Sequence, residues 1–304
     1  MCVDVSGARM RSREVVDRAH GKTAWGFLVK YLLIALLFSV GASLFLYPVC
    51  AGLINQRSQT TVIKDFDQAT QEIPADRKAY TLEQARAYNS RLLGHQETLM
   101  DPFGDQGDAD TVVSLLNVGD IMGYVEIPQI DVSLPIYAGC SDESLKKGVG
   151  WLKGTSLPVG GMSTHTVLAG HTGYPASRLF TDLPKLKQGD EFYIRDLSET
   201  LAYRVIDIQI VEPQDVTALG IIEGQDLATL VTCYPYMINS HRLLVTGERV
   251  PYTGQLEDLR ISSGFWGSIT PVERDFYLAV LAVVALSAVL VILGIRYFRK
   301  HRRR

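Results

Sequence analysis

The sequence predicts a mainly β domain held between two membrane-spanning helices. Three observations carry this reading: two long uncharged apolar runs, a charge divided sharply between the ends and the middle, and short strand-like segments gathered in one stretch. The chain has 304 residues, is 47% hydrophobic and 21% charged, and carries a formal net charge of −3. A disordered chain would be poorer in apolar residues and richer in net charge. The 26 glycines cannot supply a collagen repeat, and four cysteines do not make a disulfide-rich scaffold. The slight acidity gives no sign of nucleic-acid binding.

The first apolar run, 31–54, reads YLLIALLFSVGASLFLYPVCAGLI, and the second, 276–295, reads FYLAVLAVVALSAVLVILGI. Neither holds a charge. About 20 apolar residues span a bilayer core at 1.5 Å rise each, so both are long enough. The first run could instead be a cleaved signal peptide. It is longer than the usual apolar core of roughly 7–15 residues, and no Ala-x-Ala site follows. A retained anchor is therefore expected, with Trp25, Tyr31 and Tyr47 suited to the interfaces and Lys30 able to snorkel.

Residues 1–54 carry six basic and three acidic side chains, and 276–304 carry six basic and none acidic. Residues 55–275 carry 18 basic and 30 acidic ones. Positive flanks stay cytoplasmic. The expected organisation follows: a cytoplasmic segment 1–30, a span 31–54, an extracellular helical segment and loop 55–110, a β domain 111–260, a linker 261–275, a span 276–295 and a cytoplasmic basic tail 296–304.

Within the outer part, 56–93 shows helical spacing, with Ala79, Leu82, Ala85 or Ala87, Leu92 and Leu93 recurring at helical intervals. The stretch MDPFGDQGDAD is a loop, being rich in Gly, Asp and Pro. Then come MGYVEIP, DVSLPIY, THTVLAG, EFYIRD, LAYRVIDIQIVE, ATLVTC and HRLLVTGERV, alternating or continuously apolar and separated by turn residues. Such a series makes a β-barrel or a sandwich. Asp142 to Gly148 reads as a short helix capped by Ser141.

Two thiols lie in the outer part, Cys140 and Cys233. One reading pairs them as a disulfide, which the compartment permits. Neither has the close Cys or His spacing of a metal site, so no metal and no cofactor is expected. The other reading makes Cys233 a nucleophile. It ends the run ATLVTC, and the following Tyr234-Pro235 cannot continue a central strand, so the thiol sits at a strand end. A Cys nucleophile needs an acid/base and an oxyanion donor. His171 follows an apolar strand in a Gly-flanked turn, whereas His95, His165 and His241 have plainer contexts. Arg242 opens the next strand, where a hairpin brings it beside Cys233.

The segments TLVTC, NSHRLLVTGER and LAGHTGYPASRLFTDL, in the order His171, Cys233, Arg242, resemble the sortases, membrane-bound cysteine transpeptidases of Gram-positive bacteria. The resemblance covers roughly 111–250. Asp101-Pro102-Phe103 resembles the lid motif of class C, pilus-assembling sortases, and two spans are typical of that class. The resemblance implies an eight-stranded barrel with N-terminal helices. It implies attack by Cys233 on the Thr–Gly carbonyl of an LPXTG-like signal, proton transfer by His171 and stabilisation by Arg242. Thr232 and Thr164 are expected to line the groove. Cationic neighbours are expected to lower the Cys233 pKa. Phe103 is expected to cover the thiol and Asp101 to pair with Arg242, with Gly104 and Gly107 as hinges. The implied substrates are secreted surface or pilin proteins. The implied acceptor is a pilin Lys or, in a housekeeping sortase, a lipid-linked peptidoglycan amine. A catalytically silent membrane-tethered binding domain is the reading from another class.

Overall fold

The computed structural model describes residues 6–93, 99–104, 116–175, 177–254, 277–283, 285, 286, 289 and 296. Within α1 it leaves out the side chains of 6–29 and of several positions from 31 to 49. Helix α1 (Ser6–Glu72) ends where Pro74 lacks an amide donor and pushes Ile73 out of the helical region. Helix α2 (Ala75–Leu92) starts again at once, with Lys78 N–H donating to the Pro74 carbonyl at 3.0 Å. Phe66 of α1 and Leu82 and Ala85 of α2 enter the main apolar core. Asn89 of α2 clips this helical pair to the barrel. Its Nδ2 donates to the Leu157 carbonyl at 3.1 Å, and its Oδ1 accepts from the Leu157 N–H at 2.7 Å.

The strands are β1 (Gly123–Ile127), β2 (Val132–Ala138), β3 (Val149–Trp151), β4 (Thr164–Ala169), β5 (Glu191–Arg195), β6 (Thr200–Val211), β7 (Asp226–Tyr234) and β8 (His241–Val250). They close into a barrel in the order β1-β2-β3-β4-β7-β8-β6-β5. The pairs β2–β3 and β4–β7 are parallel, and the others are antiparallel. The barrel resolves the choice between barrel and sandwich. Seven strands coincide with the segments read from the sequence. β3 was not among them, because three residues show too little alternation to be seen. Helix α3 (Asp142–Lys147) forms as expected, with the Ser141 hydroxyl accepting from the Ser144 N–H.

Strand alternation divides β4, β7 and β8 into two faces. Leu168, Leu230, Leu243 and Val245 point into the main core. Val167, Ala169, Val231 and Leu244 point the other way, into a second apolar cluster with Cys140, Leu145 and Leu219. This outer face is therefore also buried, and it forms the floor of the site.

Contacts divide the chain into two units, one of residues 1–49 with 276–304 and one of residues 50–275. Among the described residues, no helix is long and apolar enough to cross a membrane. The uncharged run 31–54 lies within α1, with several of its side chains outside the description. Most of 276–295, the 261–275 linker, His95 and Gly107 also lie outside the described residues.

Candidate active site

The floor strands end together. Cys233 on β7 stands directly across from Arg242 on β8 in the antiparallel register. β4 runs parallel to β7, with Ala169 beside Val231. The Gly170 N–H donates to the Val231 carbonyl at 3.0 Å, so His171 leaves β4 beside the end of β7. Residues 169 and 171, 231 and 233, and 242 and 244 share a parity. Period two therefore puts His171, Cys233 and Arg242 over the outer apolar face, not inside the barrel. The site is a groove across three adjacent strand ends.

The segment Asp101-Pro102-Phe103 lies in this groove. Its carboxylate takes two hydrogen bonds from Arg242, Nε to Oδ1 at 2.8 Å and NH2 to Oδ2 at 2.6 Å. That is the bidentate fork, the strongest geometry available to this pair. The Phe103 ring lies 5.7 Å from the His171 ring, and the Arg242 guanidinium carbon lies 5.0 Å from its centroid. Its ring contacts are thus with His171 and Arg242. Pro102 is buried, and the Gly104 N–H closes a turn onto the Asp101 carbonyl at 2.9 Å.

Both proton-carrying groups are shifted toward neutrality. Burial pushes the Cys233 thiol up, Arg242 opposes this, and Asp101 adds to the rise. This reverses the expected depression: Arg242 is present, but a buried site and an adjacent carboxylate outweigh it. Burial likewise pushes His171 down, against the raising effect of Asp142, with Lys146 adding to the fall. With the segment in place, both shifts favour the uncharged forms, thiol and neutral imidazole.

Two expected groove residues lie elsewhere. Thr232 belongs to the opposite parity and is fully buried, its hydroxyl donating to the Gly170 carbonyl at 2.7 Å. It fixes the residue before His171 and lines no groove. Thr164 sits at the start of β4, the end remote from His171, and donates to the Gly161 carbonyl at 2.7 Å. Cys140 and Cys233 are both free thiols, so no disulfide joins them. Cys140 is buried in the floor, and burial pushes its pKa up. His165 is a core residue, with Nδ1 2.8 Å from the Gly220 carbonyl and Nε2 2.7 Å from the Thr229 hydroxyl. His241 is exposed. Among the described residues, no three His, Cys, Asp or Glu side chains gather as a metal site. Sequence reasoning missed Tyr174, whose ring stacks on His171 at 6.0 Å. Its place three residues along the same Gly-flanked turn was the available signal.

The sortase domain model matches residues 125–250. The sortase C1 structure of GBS pilus island 1 is similar at 44% identity and a TM-score of 0.61, covering 64% of this chain and 94% of that one. The chain belongs to the sortase family. The Streptococcus pneumoniae sortase C structure is similar to this sortase at 45% identity and a TM-score of 0.59, covering 63% of this chain and 97% of that one. Sortase A of Bacillus anthracis is 27% identical over 217 residues, 71% of this chain and 91% of its own. The likeness to pilus-related sortase C structures supports class C. This sortase is a cysteine transpeptidase.

Proposed function

We propose that this sortase is a two-pass membrane enzyme that polymerises pilins. Its catalytic domain would lie outside the cell and both termini inside. The runs 31–54 and 276–295 and their basic flanks support that topology. So do the exposed apolar side chains of Leu33, Ile34, Leu36, Leu37, Val40 and Leu44 on α1, which suit lipid better than water.

The observation that carries the chemistry is the Cys233–Arg242 cross-strand pair with His171 at the neighbouring strand end. The Cys233 thiolate attacks the Thr carbonyl of an LPXTG-like signal, and Arg242 stabilises the oxyanion. The C–N bond to Gly breaks as the His171 imidazolium gives its proton to the leaving amine. A pilin Lys amine then attacks the thioester and passes its proton to His171, and the thiolate leaves.

Asp101-Pro102-Phe103 acts in this reading as a lid. Asp101 occupies Arg242 and disfavours the thiolate, and Phe103 keeps water from His171. Opening reverses both effects, lowering the Cys233 pKa and raising that of His171. The lid is then an electrostatic brake as well as a steric one. The test is the full chain in nanodiscs, with its lid mutated, given a sorting-signal peptide and a pilin domain bearing the acceptor Lys. A Cys233-dependent isopeptide product is expected. Transfer only to a peptidoglycan-type amine would point to a housekeeping enzyme, and absence of any thioacyl intermediate would refute the reading.

A further inference from the structure

A catalytic histidine needs something to hold its ring in one orientation, ordinarily a hydrogen-bonded third group. Here that group is missing from the expected place. Among the described residues, neither ring nitrogen of His171 has a hydrogen-bond partner. The contrast within the same strand region is direct, since both ring nitrogens of His165 are engaged. What lies against His171 is aromatic: Phe103 at 5.7 Å with a tilt of 32°, and Tyr174 at 6.0 Å with a tilt of 26°.

The two rings differ in what holds them. Phe103 belongs to the lid segment and would leave with it. Tyr174 is half-buried against the main barrel core, so it stays. The turn that carries it is fixed at several points. The Phe180 N–H donates to the His171 carbonyl at 3.0 Å, and the Gly173 N–H donates to the Thr181 hydroxyl at 3.0 Å. Gly173 adopts a φ of +68°, and a Cβ there would meet the Tyr236 ring at 3.0 Å. The turn is thus pressed between the barrel and the β7–β8 hairpin, with Tyr174 aimed at the imidazole.

We infer that Tyr174 is the positioning residue for His171, orienting the imidazole by ring stacking in place of a hydrogen-bonded orienter. The face of an aromatic ring attracts a cation, so Tyr174 would also favour the imidazolium that the acylation step consumes. The charged groups that act on His171 are Asp142 and Lys146 on α3, and the adjoining strand ends and lid add Cys233, Arg242 and Asp101. This inference rests on His171 acting as acid and base.

The test uses the full chain with Asp101→Ala and Phe103→Ala as the open-lid parent. Tyr174→Leu should lower kcat for peptide cleavage roughly five- to tenfold, with KM within twofold of the parent. It should also lower the His171 midpoint by about half a pH unit, read by NMR of the imidazole. Tyr174→Phe should restore both, because it keeps the ring. Equal losses in the Leu and Phe variants would overturn the inference, as would a Leu variant with unchanged kcat and midpoint. If Tyr174→Leu does not fold, Tyr174→Met makes the same comparison with a flexible side chain. If the open-lid parent cleaves nothing, the functional reading fails, while the His171 midpoints still decide the role of Tyr174.

Discussion

The two ends of the β4–β7–β8 sheet each hold an aspartate with an arginine near it, and they use the pair in opposite ways. At the far end, Asp226 opens β7. Its carboxylate accepts from the Gly161 N–H at 2.8 Å, the Tyr203 hydroxyl at 3.1 Å and the Thr164 hydroxyl at 3.3 Å. Arg249 lies over the Tyr203 ring at 5.7 Å. All but Gly161 lie on strands, so undoing the cluster means opening the barrel. At the catalytic end, Asp101 reaches Arg242 from a short segment outside the barrel, across 141 residues of sequence. That ion pair can part with the barrel intact. The same chemistry gives stability where both partners are anchored and, in the proposed reading, a switch where one of them is not.

The largest effect should come from the reacting atom. Cys233→Ala should lower transpeptidation by roughly 10³-fold or more while leaving the melting temperature near that of the parent. A large loss of stability in this variant would mean that the catalytic end also holds the barrel together. Asp226→Ala should do the reverse, costing about 2–4 kcal/mol in denaturant unfolding and leaving the turnover of the surviving folded enzyme intact. The far end also has a pH signature. Burial raises the Asp226 pKa above its unfolded value. Its protonation therefore adds stability that is complete below the ordinary carboxylate range and is lost as pH rises through the raised value. Unfolding curves of the wild type against Asp226→Asn, at pH values on either side of that range, should show the difference.

Asp101→Ala should cost less than Asp226→Ala, about 1–2 kcal/mol, because the pair is largely buried, with side chains 21% and 11% exposed, and its loss leaves Arg242 without its carboxylate. It should speed alkylation of Cys233 several-fold and move the midpoint of the alkylation pH profile downward, because the carboxylate that raises the thiol is gone. An unchanged or higher midpoint would contradict the electrostatic brake. The smallest effect belongs to Thr232→Val, which removes one buried hydrogen bond to Gly170. About 1 kcal/mol of stability and a few-fold loss in kcat are expected.

Much of this was legible in the sequence. Alternation gave seven strands, and Pro235 with the apolar run before it put Cys233 at a strand end. The resemblance joined His171 and Arg242 to it. Parity, carried one step further, would have removed Thr232 from the groove, since adjacent residues on a strand cannot share a face. Thr164 was assigned without a register, which only the β4–β7 pairing supplies. The thiol pKa was misjudged because a sequence shows nearby cations but not burial. Tyr174 was missed because ring stacking depends on the path of the turn after β4, and no spacing rule encodes that path.

The helical pair clipped on by Asn89 has a practical consequence for where the chain can be cut. Phe66, Leu82 and Ala85 are shared with the barrel core, so the helices are walls of the catalytic body and not a stalk beneath it. Cleavage near residue 50 leaves that body whole, in step with its boundary at residues 50–275, and in the proposed two-pass topology a second cut ahead of residue 276 is needed to release it. Cleavage past Leu92 would strip apolar side chains from the barrel and leave an insoluble remnant. A soluble form of the enzyme, whether made by a protease or by an expression plasmid, has to begin near residue 50, keeping the part of α1 that carries Phe66 and all of α2, and to end before residue 276.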